Sequence, residues 1–330
     1  MVKAPQQSQQ NPSLPPDPRG LFGHQQDLKV AQNLKQMGRL PPVILFSGRR
    51  GIGKKTFVSR LVSLLNCDQR TGCGECPPCQ EWRAGVFSES LWLAPDGDKH
   101  VKETADRLSE HLAVQRGVGA SVRVAVVAGA ELMNTACANS LLKILEEPPE
   151  ASAIFLTSDS PQLLLPTIRS RTVPWPLRPP SLEQSLEFLQ GQFPAAGIAS
   201  LRQWLCHFGN SPGLVREAIA AYGEDATLEQ VTPGTSFMTS VLQEPEERQG
   251  FTQMVEELTQ ASQGQPQAHV WANLEIALNV SYRSAHKSGK QIKYSRLHVV
   301  RERLRRMKQL SSRGKITLNL RLGLEALGES

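Results

Sequence analysis

Two periodicities alternate along the chain. Val43, Ile44, Leu45 and Phe46 form an unbroken apolar run that ends at Ser47-Gly48, and so short a run closed by a glycine turn predicts a buried strand. Behind it, over 54–66, Phe57, Val58, Leu61, Leu64 and Leu65 recur at helical spacing and predict a helix with one apolar side. Strand, glycine turn and helix are the opening unit of a parallel α/β sheet. Upstream, 21–38 carries a polar helical pattern. Downstream, 122–127 and 153–156 read as two further strands, separated by a helix over 135–147 that Pro148 and Pro149 terminate. The sheet domain therefore runs over 19–176.

Beyond it the spacing is helical throughout. Residues 177–226 read as a small helical unit, opened by Pro179-Pro180-Ser181 and containing the turn Gly209-Asn210-Ser211-Pro212-Gly213. Thr232-Pro233-Gly234 suits a linker, and 227–330 forms a second helical part with a polar loop over 260–267. There is no internal repeat. Residues 1–18 hold five Pro and four Gln and little to bury, which predicts a disordered leader.

With 330 residues, 39% hydrophobic and 21% charged, the chain can bury a sizeable core. No apolar run approaches the roughly 18–20 residues that span a bilayer, and there is no hydrophobic signal core, so a soluble, cytoplasmic protein is expected. The net charge of +6 is local: 281–315 holds twelve Lys/Arg against Glu302 alone, which leaves the rest of the chain at −5. Leu297, Val300, Leu304 and Met307 place that excess on a helix over 294–310. A solvated face, a subunit contact and a DNA-phosphate contact all suit it, and no aromatic stacking platform accompanies it.

Gly48-Arg49-Arg50-Gly51-Ile52-Gly53-Lys54-Lys55-Thr56 fits a phosphate loop and sits between a strand and a helix, as such a loop must. Glycines let backbone amides face phosphate oxygens, the helix start adds positive potential, and Lys54 would reach the outer phosphates. The next position should carry a hydroxyl for Mg²⁺. Lys55 stands there, and Thr56 comes one residue late. A hydrolase also needs acids at the end of a second strand, whereas Val127 is followed by Ala128-Gly129-Ala130, with Glu131 too far along the chain to substitute. Negligible ATPase is expected from the chain by itself.

Cys67, Cys73, Cys76 and Cys79 fall within thirteen residues. Four thiols at loop spacing in a cytosolic chain point to a closed, structural Zn²⁺ site. An iron–sulfur cluster shares the Cys-x-x-Cys-x-x-Cys run but expects its fourth cysteine, followed by proline, downstream. Cys137 and Cys206 are isolated and read as core thiols. After the strand at 153–156, Thr167-Ile168-Arg169-Ser170-Arg171 sets two arginines around one serine, which suits either surface salt bridges or an arginine offered to a neighbour's nucleotide.

Together these residues resemble the clamp loader branch of the AAA+ family. Asn139-Ser140-Leu141-Leu142-Lys143-Ile144-Leu145-Glu146-Glu147-Pro148-Pro149-Glu150 is similar to the family's helix after the second strand, and Ser170-Arg171-Thr172 to its Ser-Arg-Cys motif. The four cysteines match its zinc module in order, and Asn319-Leu320-Arg321-Leu322-Gly323-Leu324-Glu325-Ala326-Leu327 resembles the closing helix of its collar. The resemblance implies an α/β fold: a P-loop AAA+ sheet domain with an inserted zinc module (67–79), a small helical lid and a C-terminal all-α collar. Motor subunits of the family keep a complete loop, an Asp-Glu pair and a sensor arginine, where this chain has Lys55, Ala128 with Gly129, and Gly213. It therefore implies a non-hydrolysing stator. Such a subunit offers Arg171, beside Ser170, to a neighbour's ATP, assembles with gamma/tau motor subunits and a delta subunit in the DNA polymerase III holoenzyme, and helps to load the sliding clamp on primed DNA. Whether Gly48, Gly51, Gly53 and Lys54 still hold ATP without turnover stays open. Two other readings are an active motor of the same family and a stand-alone zinc-containing nucleic-acid binder.

Overall fold

The computed structural model describes residues 15–69, 71–84, 89–95, 100–113, 122–224, 237–238, 240–242 and 251–261, with single positions between 270 and 327. They divide into two compact units, Met1–Ser181 and Leu182–Ser330.

The first unit is built on five parallel strands: β1 (Val43–Ser47), β2 (Ser90–Leu93), β3 (Arg123–Ala128), β4 (Ser152–Ser158) and β5 (Val173–Pro176). Their order across the sheet is β2-β3-β4-β1-β5. The apolar runs are continuous because both faces are covered. Ile44, Phe46, Val124, Val126 and Phe155 point to one side, against α1 (Gln25–Gln36) and α2 (Lys54–Asn66). The alternate residues Val43, Leu45, Ala125, Val127, Ile154 and Leu156 face α4 (Lys102–Ala113) and α5 (Thr135–Glu146). A short helix α3 (Pro77–Ala84) follows the cysteines, and α6 (Pro166–Arg169) precedes β5. Phe46 is fully buried, with Phe57 and Phe155 edge-on to it at ring distances of 5.4 and 5.6 Å. Its burial stabilises the fold by roughly 1.5–3 kcal/mol.

Strands β2 and β5 escape the sequence pattern. β2 has four residues, and β5 reads Val-Pro-Trp-Pro, whose prolines confine it to the sheet edge that it occupies beside β1. The leader ends earlier than Pro18: Pro18 is buried, and the Pro16 carbonyl accepts a hydrogen bond from the buried Ser59 hydroxyl of α2 at 2.5 Å. The boundary after 176 also moves. Leu177 is buried in the sheet core and its amide donates to the Ser47 carbonyl at 2.7 Å, so the sheet unit continues to Ser181.

In the second unit, α7 (Leu182–Gln192), α8 (Ile198–His207) and α9 (Pro212–Tyr222) pack around Leu189, Leu205, Phe208 and Leu214. A separate cluster joins Phe237, Val241, Val255 of α10 (Phe251–Ala261), Trp271, Leu274 and Leu278 to Val300, Leu304 and Leu327. Val300 and Leu304, two members of the apolar stripe in the basic segment, are thus core residues. Cys206 is exposed, because Leu201, Trp204 and Leu205 take the inner side of α8; Cys137 is buried. The linker at 232–234, the basic segment apart from Ser281, Val299, Val300, Arg303 and Leu304, and residues 319–326 lie outside the described residues.

Candidate functional site

Parallel strands deliver their C-terminal ends to one edge of the sheet, where ligands of such folds gather. β1 ends there in the phosphate loop. The Gly48 amide donates to the Ser158 carbonyl at 3.2 Å, and Gly51 and Gly53 take φ of 79° and 99°, left-handed values open to glycine. A Cβ on Gly48 would stand 2.6 Å from the Leu177 carbonyl and 2.8 Å from Ile52. His24 holds the Ile52 carbonyl at 2.8 Å from Nε2.

Lys54, expected to reach outward to phosphates, is only 5% exposed. Its ammonium donates to the Gly48 carbonyl at 2.9 Å and the Arg49 carbonyl at 2.8 Å, and pairs with Asp159 at 2.5 Å. An ammonium has three donors, and all three are used. Asp159 follows β4, the neighbour of β1, and sequence reasoning assigned it no role. Glu131, set aside as too distant along the chain, returns to the same place: its Oε1 accepts the Asp159 amide at 3.0 Å. Burial first, and the Asp159 charge second, push the Glu131 carboxyl up. Lys55 lies at the lip with its side chain exposed; crowding by protein on its inner side lowers its pKa, partly offset by the attraction of Asp159. Thr56 is half-buried. No described carboxylate follows β3 directly, since Ala128 and Gly129 stand there.

Ser170 and Arg171 are elsewhere. Arg171 donates from Nε to Glu146 Oε1 at 2.6 Å and from Nη2 to the same oxygen, while Nη1 reaches the Thr167 carbonyl at 2.9 Å and the Ser170 hydroxyl at 3.3 Å. It remains 29% exposed. The register Ile44↔Val173 puts Arg171 before the N-terminal end of β5, whereas the loop follows the C-terminal end of β1. The two are separated by about the length of β1, roughly 15 Å at 3.3 Å per residue. Arg171 therefore cannot serve its own loop.

At the far end of α2, Cys67, Cys73, Cys76 and Cys79 bring their sulfurs within 4.8 Å of one another. Cys67 and Cys73 are 3.7 Å apart, Cys67 and Cys76 3.9 Å. A tetrahedron with metal–sulfur bonds of about 2.3 Å, the zinc value, has edges of about 3.8 Å, so the four thiols fit one such ion. Amides support thiolate character: Cys73 donates to Cys67 Sγ at 3.5 Å, and Cys76 to Cys73 Sγ at 3.3 Å. Burial would raise the Cys67 pKa, yet the amides of Cys73, Thr71 and Gln69 bring it down to about 6; desolvation pushes Cys76 up to about 12.

Residues 23–181 match the protein family described as "DNA polymerase III, delta subunit". The delta-prime subunit of DNA polymerase III from Pseudomonas aeruginosa is 32% identical over 58% of this chain and 59% of its own length. The Escherichia coli delta-prime subunit is 34% identical over 47% of each chain, and the E. coli tau subunit 32% identical over 50% of this chain and 26% of its own. Fold and motifs thus define a parallel-sheet phosphate-loop protein of the clamp loader class. Over residues 23–181 the family match and the delta-prime relatives support a delta-prime clamp loader subunit of DNA polymerase III. The chain spans 47–59% of the length of the delta-prime relatives it matches here.

Proposed function

We propose that this chain is a non-hydrolysing stator of a bacterial replicative clamp loader. The observation that carries this reading is the opposition of Arg171 and the phosphate loop at the two ends of β1. An arginine that cannot serve its own loop, exposed at the sheet's other end, suits a site completed from outside. Its partners are the gamma/tau motor subunits, a delta subunit, the sliding clamp and primed DNA, in the polymerase III holoenzyme. The α7–α9 cluster serves as the lid and the remaining helices as the collar that joins the ring, with the four cysteines holding one structural Zn²⁺. No chemistry proceeds on this chain. The loop's lysine is engaged internally, Lys55 replaces the Mg²⁺-binding hydroxyl, and the electrostatic clamp on which phosphoryl transfer depends is missing. No described helix is long and apolar enough to cross a membrane, in keeping with work in the cytoplasm.

The test is steady-state ATP turnover by the reconstituted loader with clamp and primed DNA. Arg171→Ala in an assembled ring should lose roughly a hundredfold or more, as removal of a trans arginine does. The chain alone should be silent. An unaffected ring, or turnover by the chain alone that Lys54→Ala abolishes, overturns the stator.

A further inference from the structure

We propose that Asp159 decides what this phosphate loop accepts: its carboxylate is a built-in anion standing where a nucleotide phosphate would need Lys54, and it makes the loop selective against phosphate. The inference rests on the stator reading and deepens it, since it names the group that keeps nucleotide out of a loop whose glycines and lysine are intact.

Lys54 is buried and fully bonded, with the Gly48 and Arg49 carbonyls and Asp159 taking its three protons. A phosphate entering the loop has to break that ion pair and both carbonyl bonds before it gains the ammonium. It also brings its own charge beside Asp159, in a setting where like charges repel more strongly than in water. The Asp159 main chain is held at this position, because its amide donates to Glu131 Oε1 at 3.0 Å. The other Glu131 oxygen is buried with no hydrogen-bond partner among the described residues, so this second acid backs the first from within the fold. From the opposite side the Leu177 carbonyl presses on Gly48, and the Gly48 amide is bonded to Ser158 instead of facing a ligand. The missing Mg²⁺ hydroxyl explains lost hydrolysis. Asp159 explains lost binding, a separate property.

The experiment measures binding of a fluorescent ADP analogue, with unlabelled ATP as competitor, to the full chain, with and without Mg²⁺. Wild type should show no saturable binding up to about 1 mM. Asp159→Ala should bind at least about tenfold more tightly than that limit, and Asp159→Ala/Lys54→Ala should lose the gain. Asp159→Asn keeps the shape while removing the charge; it should gain binding too, and it decides the matter if the alanine variant melts early. Wild-type binding equal to that of Asp159→Asn, or no binding by a variant that melts like wild type, overturns the proposal. ATP turnover is read on the same samples. Turnover by wild type defeats the stator reading, whereas silent wild type with non-binding variants defeats only the role of Asp159.

Discussion

Helix α2 carries one candidate site at each end, and the two are satisfied in opposite ways. At its N-terminus the phosphate loop is filled from within, since Lys54 meets two carbonyls and a carboxylate and the loop demands nothing of solvent. At its C-terminus Cys67 caps the helix and begins a set of four thiols that lie together, met otherwise by main-chain amides and the Ser63 hydroxyl. Thiol–thiol hydrogen bonds are weak, and thiolates 3.7–3.9 Å apart repel, so this end is suited to a cation. The helix between them is well anchored at its cysteine end. Lys35 donates to the Leu65 carbonyl at 2.6 Å, where a positive charge suits a helix C-terminus, and Arg60 reaches the Thr71 and Gly72 carbonyls of the cysteine loop. One helix thus separates a loop whose lysine is bonded within the protein from four thiols that could hold one metal ion.

The sharpest way to break this contrast is to withdraw the metal. Chelation of the purified full chain, or Cys76→Ser, should destabilise the sheet unit by on the order of 5 kcal/mol. That is less than the roughly 10–16 kcal/mol zinc gives peptides with no other core. The expected fall in melting temperature is about 10 °C or more. Metal analysis should return one zinc per chain and no visible absorbance. A chelated protein that melts like the untreated one would mean that the cysteines satisfy one another, and stoichiometric iron would replace the zinc assignment.

The loop end should respond far less. Lys54→Met leaves the Gly48 and Arg49 carbonyls and Asp159 without their cation, a cost of about 1–2 kcal/mol once the partial exposure of Asp159 to water is allowed for. The midpoint of urea unfolding reads this directly. Because the lysine serves the fold and not a nucleotide, an assembled ring carrying Lys54→Met should turn over ATP as wild type does, in contrast with Arg171→Ala. A neutral effect on unfolding would show that the internal bonds are incidental.

These two ends were unequally legible in the sequence. The cysteines are close along the chain, so spacing alone reveals the donor set, and the alternation of strand and helix reveals β1, α2, β3, α5 and β4 to within a few residues. The acids at the loop were not legible. Asp159 lies more than a hundred residues beyond Lys54, and Glu131 twenty-eight before Asp159; the β1–β4 pairing brings Asp159 to Lys54, and the β3–β4 pairing brings Glu131 to Asp159. An acid following a buried strand was the available signal, but nothing in a single sequence says which strand lies beside which. The same limit hid the Glu146 partner of Arg171, since α5 and α6 pack directly on each other but are separated along the chain by β4. Strand β5 was hidden for a different reason, since its two prolines forbid the usual pattern and are tolerated only because it is an edge.

The smallest expected effect is acid sensitivity near the loop edge, and its sign follows from His100. That imidazole is fully buried, with Nε2 bonded to the Ala128 carbonyl at 3.0 Å and Nδ1 buried with no partner among the described residues. Burial first, and the neighbouring Lys55 charge after it, lower its pKa below the ordinary 6.5; the bond to Ala128 opposes them. The folded chain therefore binds this proton less readily than the unfolded chain. Stability is full well above the ordinary 6.5 and declines as pH falls from there toward the folded-state pKa. Burial lowers His111 and His207 in the same sense, so the urea midpoint of wild type should fall between pH 7.5 and 6, and His100→Asn should remove part of the fall. Metal content is followed in the same series, because acid also competes for the thiolates. A midpoint that drops only when zinc is released would assign the whole acid response to the cysteine end; a drop that precedes release assigns it to the buried imidazoles, and the difference made by His100→Asn reads the share of the one at the end of β3.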